Sequence, residues 1–287
     1  MNRALFAKTI SDARLLFVAV LALMFVFPWL FIWVSSKISL PAFSDFIARA
    51  LPEEMQRIWG VPVSEVATPA GRVALVWVHP LVILGALVWT IARGSDCVSG
   101  EIGRGTMEML LAQPVRRISV FATQAIVTIL GSALLAAAAW CGTAAALFTT
   151  SLYEQVPVVR FIPPAVNLFT LMVCLGGMTA LLSSWDNQRW RTVGIMGACY
   201  VVSASLAIAG QISDRWHWLR YASFLSLYKP QTMVAHPDKA WSLFMYANEN
   251  ITTLGLGGCQ LLLFGIGVAC YAAGAVIFTR REIPAPI

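Results

Sequence analysis

The chain is 287 residues long, 59% hydrophobic and only 12% charged, where an ordinary soluble domain carries about 25% charged residues. In water a chain of this balance would have to expose most of its apolar side chains, which excludes a soluble domain and leaves the bilayer as its solvent. The formal charge of +6 is spread out with no block of Lys and Arg. That argues against nucleic acid as a partner and agrees with the basic excess of inner loops in membrane proteins.

The chain opens amphipathically. Phe6, Ile10, Ala13 and Phe17 fall at helical spacing, with Arg3, Lys8, Asp12 and Arg14 between them. This predicts a helix over residues 1–14 lying along the membrane surface. Crossing the hydrocarbon core takes about 20 apolar residues. Six runs qualify: Leu15–Val34, Val73–Ile91, Ile118–Phe148, Ala165–Ser183, Val193–Gln211 and Ile251–Phe278. None of them contains Asp, Glu, Lys or Arg. The expected fold is therefore an all-α, polytopic, single transmembrane domain over residues 1–287. The first run is too long for the core of a signal peptide and reads as a retained anchor. Pro28 predicts a kink within it, and the third run is long enough to tilt or project.

Between the fifth and sixth runs, residues 212–250 carry Trp216, Trp218, Tyr221, Phe224, Tyr228 and Trp241, aromatics suited to the membrane interface. Pro230 and Pro237 divide this outer loop, which predicts re-entrant or surface-lying helices. Ala133, Ala136–Ala139 and the glycines of the last run let helices approach closely in lipid. The six cysteines have no C-x-x-C spacing, so they read as small packing residues rather than disulfide partners or metal ligands.

Polar groups inside the runs are few. His79, next to Pro80, lies in the outer part of the second run and is a candidate pathway residue; its alternative is a hydrogen bond to a neighbouring helix. No acidic relay crosses the membrane, which argues against an ion-coupled secondary transporter. The three histidines, His79, His217 and His236, are far apart, which argues against an embedded enzyme. A non-transporting scaffold is the remaining alternative. Six crossings place both termini on one side, and the bases that then share it, Arg93, Arg104, Arg116, Arg117, Arg189, Arg191, Arg280 and Arg281, sit close to span ends, as cytoplasmic bases do.

The connection between the second and third runs, residues 92–117, is the segment richest in chemistry. Thr106 reads as a helix cap with Glu108 in the first turn. Met107, Leu110 and Leu111 make an apolar stripe, and Pro114 ends the segment. A short amphipathic helix outside the membrane can lie on lipid or dock into a partner's groove.

The run Ser99-Gly100-Glu101-Ile102-Gly103-Arg104-Gly105-Thr106-Met107-Glu108-Met109-Leu110-Leu111-Ala112-Gln113-Pro114 resembles the SGE-x-x-RGT-x-x-x-LL-x-x-P signature of type-2 ATP-binding-cassette permeases. The ending Phe278-Thr279-Arg280-Arg281-Glu282-Ile283 is similar to the family's Phe-x-x-Arg-Asp, with Glu282 where Asp is usual. The resemblance implies that an elbow helix (1–14) precedes the first span. It implies that Gly100, Glu101, Arg104, Gly105, Thr106, Glu108, Leu110, Leu111 and Pro114 meet an ATPase subunit, with Glu101 and Arg104 as polar contacts and Leu110 and Leu111 as the apolar anchor. The loop holding Asp186, Arg189 and Arg191 would be a second cytoplasmic contact. The implied partners are that nucleotide-binding ATPase subunit, a second permease copy and the bilayer. The implied role is a prokaryotic inner-membrane exporter of a lipid-like or amphipathic cargo, with both termini cytoplasmic. ATP and Mg would sit on the partner, because no Lys follows a Gly anywhere in this chain and a phosphate loop needs that pair. The chain itself is expected to be no enzyme and to bind no cofactor and no metal.

Overall fold

The computed structural model describes residues 3–39, 63–66, 68–113, 115–212, 214–248 and 251–281. Within hydrocarbon no water satisfies backbone N–H and C=O groups, so a crossing segment must bond them internally. Six helical stretches are long and apolar enough to do so. The first is α1 (Arg3–Ser36), one helix of 34 residues. Residues 3–14 continue into the first span without a break, instead of forming a separate surface element. No Gly or Pro falls between Arg3 and Phe27, so nothing stops the helix from propagating.

The second crossing consists of α2 (Pro69–Val78) and α3 (Pro80–Ser95). Pro80 lacks an N–H, and its ring would clash with the carbonyl four residues back, so the helix stops and restarts at His79. The His79 Nδ1 accepts from the Leu81 amide at 3.3 Å. At the start of α2, Thr68 Oγ1 accepts from the Gly71 amide at 3.0 Å. These side chains replace the carbonyl partners that a helix start lacks.

There follow the short α4 (Thr106–Leu111), α5 (Arg117–Phe148), α6 (Ile162–Trp185), α7 (Arg189–Ile212), the short α8 (Pro230–Ala235) and α9 (Leu256–Arg280). The centre of the bundle is α6. In its most apolar stretch 67% of residues are buried, against 22% for α1 and α7. Along it runs α9, so close at Gly177 and Gly267 that a Cβ on Gly267 would stand 2.6 Å from the Val173 carbonyl oxygen. The main core joins α1, α2, α3, α5 and α6 through Met24, Ile32, Trp77, Trp89, Leu135 and Leu168, none more than 1% exposed.

The last crossing begins later than its apolar run. Phe244–Asn248 (β1) and Ile251–Leu254 (β2) pair antiparallel, with Phe244 opposite Leu254 and Met245 opposite Thr253. Ile-Thr-Thr-Leu favours the extended state through its β-branched residues, although hydropathy merges it with the helix behind. Ahead of the hairpin, 3-10 turns cover Asp214–Ala222 and Phe224–Leu227. The described residues of the loop over 212–250 are therefore turns, α8 and one strand of a hairpin, and the fold is mostly helical, consistent with the expected all-α polytopic class.

Both ends of the described chain meet at one end of the bundle. Lys8 Nζ lies 3.1 Å from Glu101 Oε1, and Arg189 Nη1 lies 3.2 Å from Asp96. Beyond α9, Arg281 donates to the carbonyls of Ser184 (2.9 Å) and Asp186 (3.2 Å), while Arg117 donates to the Arg281 carbonyl at 2.6 Å. At the other end Arg72 closes the C-terminus of α1, donating to the carbonyls of Ser35 (2.8 Å) and Ile38 (2.7 Å). An even number of crossings produces this arrangement.

Candidate functional site

The polar segment after the second span is helical for longer than its composition suggests. From Ser95, α3 runs on as a π-turn over Asp96–Gly100 and one helical turn over Glu101–Gly103. The true connection is thus 104–116, shorter than the expected 92–117. The π-turn is held from the side by α6. Ser183 Oγ accepts from the amides of Val98 (3.2 Å) and Ser99 (2.9 Å) and donates to the Ser95 carbonyl at 3.0 Å. Ser99 Oγ lies 3.1 Å from Thr192 Oγ1 on α7. All four hydroxyl residues are 0% exposed, and they let polar backbone run between three helices while keeping its hydrogen bonds.

Around that turn lies a knot of charge. The Asp96 carboxylate meets Arg104 at 2.8 Å, Arg189 at 3.2 Å and Arg93 at 3.7 Å. Arg93 is only 3% exposed and donates to Gln124 Oε1 on α5 at 2.5 Å. Glu101, 1% exposed, takes Lys8 of α1 at 3.1 Å and Arg104 at 3.3 Å and accepts the Thr106 hydroxyl. Burial alone would lower the Arg104 pKa, but Asp96 and Glu101 hold it above its ordinary value because opposite charge favours the charged form. A cavity of about 350 Å³ lies among Lys8, Asp12, Arg93, Asp96, Glu101, Arg104 and Thr106. Through these groups α1, α3, α5 and α7 are fastened to the root of α4.

Several residues singled out in the sequence take other positions than expected. Gly105, at φ +69°, occupies the cap position of α4. Thr106 is the first residue inside that helix, and its hydroxyl serves Glu101 instead of the helix start. Only a residue without Cβ adopts this left-handed backbone cheaply. Gly100 is buried beneath the turn, where a Cβ would strike the Asp96 carboxylate. Met107, 1% exposed, packs inward with Cys97, Val98, Phe121 and Phe278. Leu110 is half-buried, whereas Gly103, Arg104, Gly105, Glu108 and Met109 are exposed. Glu101, expected to face a partner, faces the interior of this chain. The Leu111 side chain, Pro114 and Glu282 lie outside the described residues.

In the second loop, Asp186 Oδ1 accepts from the amides of Asn187 (2.7 Å) and Gln188 (3.1 Å), and its other oxygen faces Arg191 at 3.6 Å. Arg189 crosses to Asp96 and also lies 3.3 Å from Ser95 Oγ, so the two loops form one site. His79 caps α3, with its ring 4.5 Å from that of Phe27 and 5.4 Å from that of Phe31. Sequence reasoning missed Arg93, Asp96, Gln124, Ser99, Ser183 and Thr192 as parts of this knot. The helical spacing of Arg93 and Asp96 was a signal; the hydroxyls gave none. Among the described residues no group of three or more His, Cys, Asp and Glu is placed to hold a metal ion.

No protein-family model matches the chain, and no curated protein matches it.

Proposed function

We propose that the chain is the membrane-spanning permease subunit of an ATP-driven exporter of the type-2 ATP-binding-cassette family, with both termini in the cytoplasm of a prokaryotic cell. The sequence resemblance over Ser99–Pro114 supports the family. The observation that carries the mechanism is that this segment is fastened to four span-forming helices through Asp96, Glu101 and, for α5, Arg93 while Glu108 and Met109 stay exposed, Met109 by 64%. A push on α4 by a separate ATPase subunit that binds ATP and Mg would reach the spans through charge pairs and short hydrogen bonds instead of dissipating in a loose loop. In this reading Glu101 and Arg104 position the docking helix, and Glu108 and Met109 touch the partner. A second permease copy completes the pathway, and the sparse polar groups inside the spans suit a lipid-like or amphipathic cargo.

The test is purification of the full chain from its native membrane, with mass spectrometry of what accompanies it. A nucleotide-binding subunit with a phosphate loop is expected, and it should be lost from Met109→Asp and Glu108→Lys chains that still insert and melt normally. A native complex without such a subunit overturns the reading.

A further inference from the structure

Away from that site, an apolar trough of about 260 Å³ runs along the N-terminal half of α1, facing α3 and α5. Phe6, Ile10 and Phe17 form one wall, Leu130 and Leu134 the other, and Trp89 the floor. The floor is rigid. Trp89 is 1% exposed, donates to the Thr128 carbonyl at 3.2 Å, and meets the Phe17 ring edge-on at 5.4 Å. From Phe6 to Val18 the trough measures about 18 Å at 1.5 Å per residue, close to the roughly 15 Å that one leaflet contributes to the hydrocarbon core. Arg14 stands at its rim. Helical side chains lean towards the helix N-terminus, which on α1 is the end that carries Lys8 and Asp12. Its nearest acidic neighbour on α1, Asp12, is taken by Lys8 at 3.2 Å, and among the described residues no ion pair to Arg14 is formed.

We propose that this trough is a binding site for one anionic phospholipid of the bilayer, an acyl chain lying over Trp89 and the phosphate on Arg14. A greasy slot with a cation on its rim, about 12 Å along α1 from Phe6 at 1.5 Å per residue, offers an acyl chain apolar walls and a phosphate a charged partner, and basic sites between spans bind anionic headgroups. Another protein helix laid into the slot would bury the Arg14 charge without a partner, whereas a lipid phosphate brings the opposite charge. The site does not depend on the transport reading and would stand if no ATPase partner existed.

The test uses the full chain in nanodiscs of equal phosphatidylglycerol and phosphatidylcholine, released into mild detergent and weighed intact by native mass spectrometry. Phosphatidylglycerol should be retained over phosphatidylcholine. Arg14→Gln should cut its retention about fivefold, the effect of one basic residue near an anionic surface, and Arg14→Lys should restore it. Leu130→Trp, at a position 52% exposed, should fill the slot and lower retention of both lipids without disturbing the core. Equal retention of the two lipids by the unaltered chain, or no response to Arg14→Gln, overturns the proposal. So does a lipid-free oligomer that Leu130→Trp dissociates, which would make a second copy the occupant.

Discussion

The Lys8 ammonium donates to the Glu101 carboxylate at 3.1 Å across 93 residues of sequence, tying the start of α1 to the turn from which α4 hangs. Glu101 is the inner partner, its side chain 2% exposed against 40% for Lys8 and 45% for Arg104. The pair therefore acts as a tether with a fixed end in the protein and a wet end that water can weaken.

Replacing Glu101 by Gln keeps the shape and removes the charge that Lys8, Arg104 and Thr106 converge on. Breaking a fully buried pair costs about 3–5 kcal/mol. Because the two cations are nearly half exposed and screened, about 1–2 kcal/mol is the expected loss. Thermal unfolding in detergent should show it, accompanied by faster tryptic cleavage after Arg104. Lys8→Met should loosen the same bond at smaller cost and leave Arg104 protected.

Gly103 and Gly105 flank the exposed Arg104, and in both cases a Cβ would meet nothing within 4 Å. They differ in backbone alone, since Gly105 is the one described residue at positive φ. Gly105→Ala should therefore cost about 1–2 kcal/mol locally, the penalty of an L-residue in the left-handed region, and speed amide exchange through α4. Gly103→Ala, in a helical turn, should be neutral or slightly stabilising. Equal effects of the two would mean that α4 is not set by the Gly105 conformation.

The crossings were legible because a bilayer demands long apolar runs, and the marker at Ser99–Pro114 stands out by its charge. The second span's extension to Gly103 was not. Ser95, Ser99 and Asp96 read as loop residues; Ser183 and Thr192, more than 80 residues away, make the burial of the two serines tolerable, and three arginines hold Asp96. Ile251–Leu254 failed for the opposite reason: strand and helix residues are equally apolar there, so hydropathy carried no boundary. The surface-lying helix at 1–14 rests on amphipathic spacing, but an amphipathic segment with no breaker after it simply continues into the span. The resemblance made Glu101 an outward contact, whereas its side chain turns inward to Lys8, Arg104 and Thr106.

Where α6 and α9 touch, glycine decides how close they come. A side chain on Gly267 would press on backbone atoms of Val173 and Cys174, which cannot rotate away. Gly267→Leu should destabilise by about 3 kcal/mol, the upper end of the cost of overpacking, and lower the yield of folded protein in the membrane fraction. Gly265, two residues earlier on the same helix, has open space where its Cβ would be, and Gly265→Leu should be tolerated. Thermal melts of the two variants side by side check that this contact, rather than helix propensity, is responsible.

The π-turn at Asp96–Gly100 should depend on one hydroxyl. Ser183 Oγ takes both the Val98 and Ser99 amides, so Ser183→Ala leaves two buried donors unmet at about 1–3 kcal/mol each. The chain can recover part of that by relaxing the wide turn into α-helix. Each residue of an α-helix turns it by about 100°, so removing a one-residue insertion would rotate everything beyond it by roughly that angle and swing Glu101 away from Lys8. Ser183→Ala is therefore expected to speed exchange at Val98 and Ser99 and to abolish cross-linking between cysteines placed at positions 8 and 101, while exchange across Leu81–Ile91 stays slow. If the cross-link persists at full rate, Ser183 does not hold the turn, and the stiffness assigned to the root of α4 must come from the ion pairs on Asp96 and Glu101.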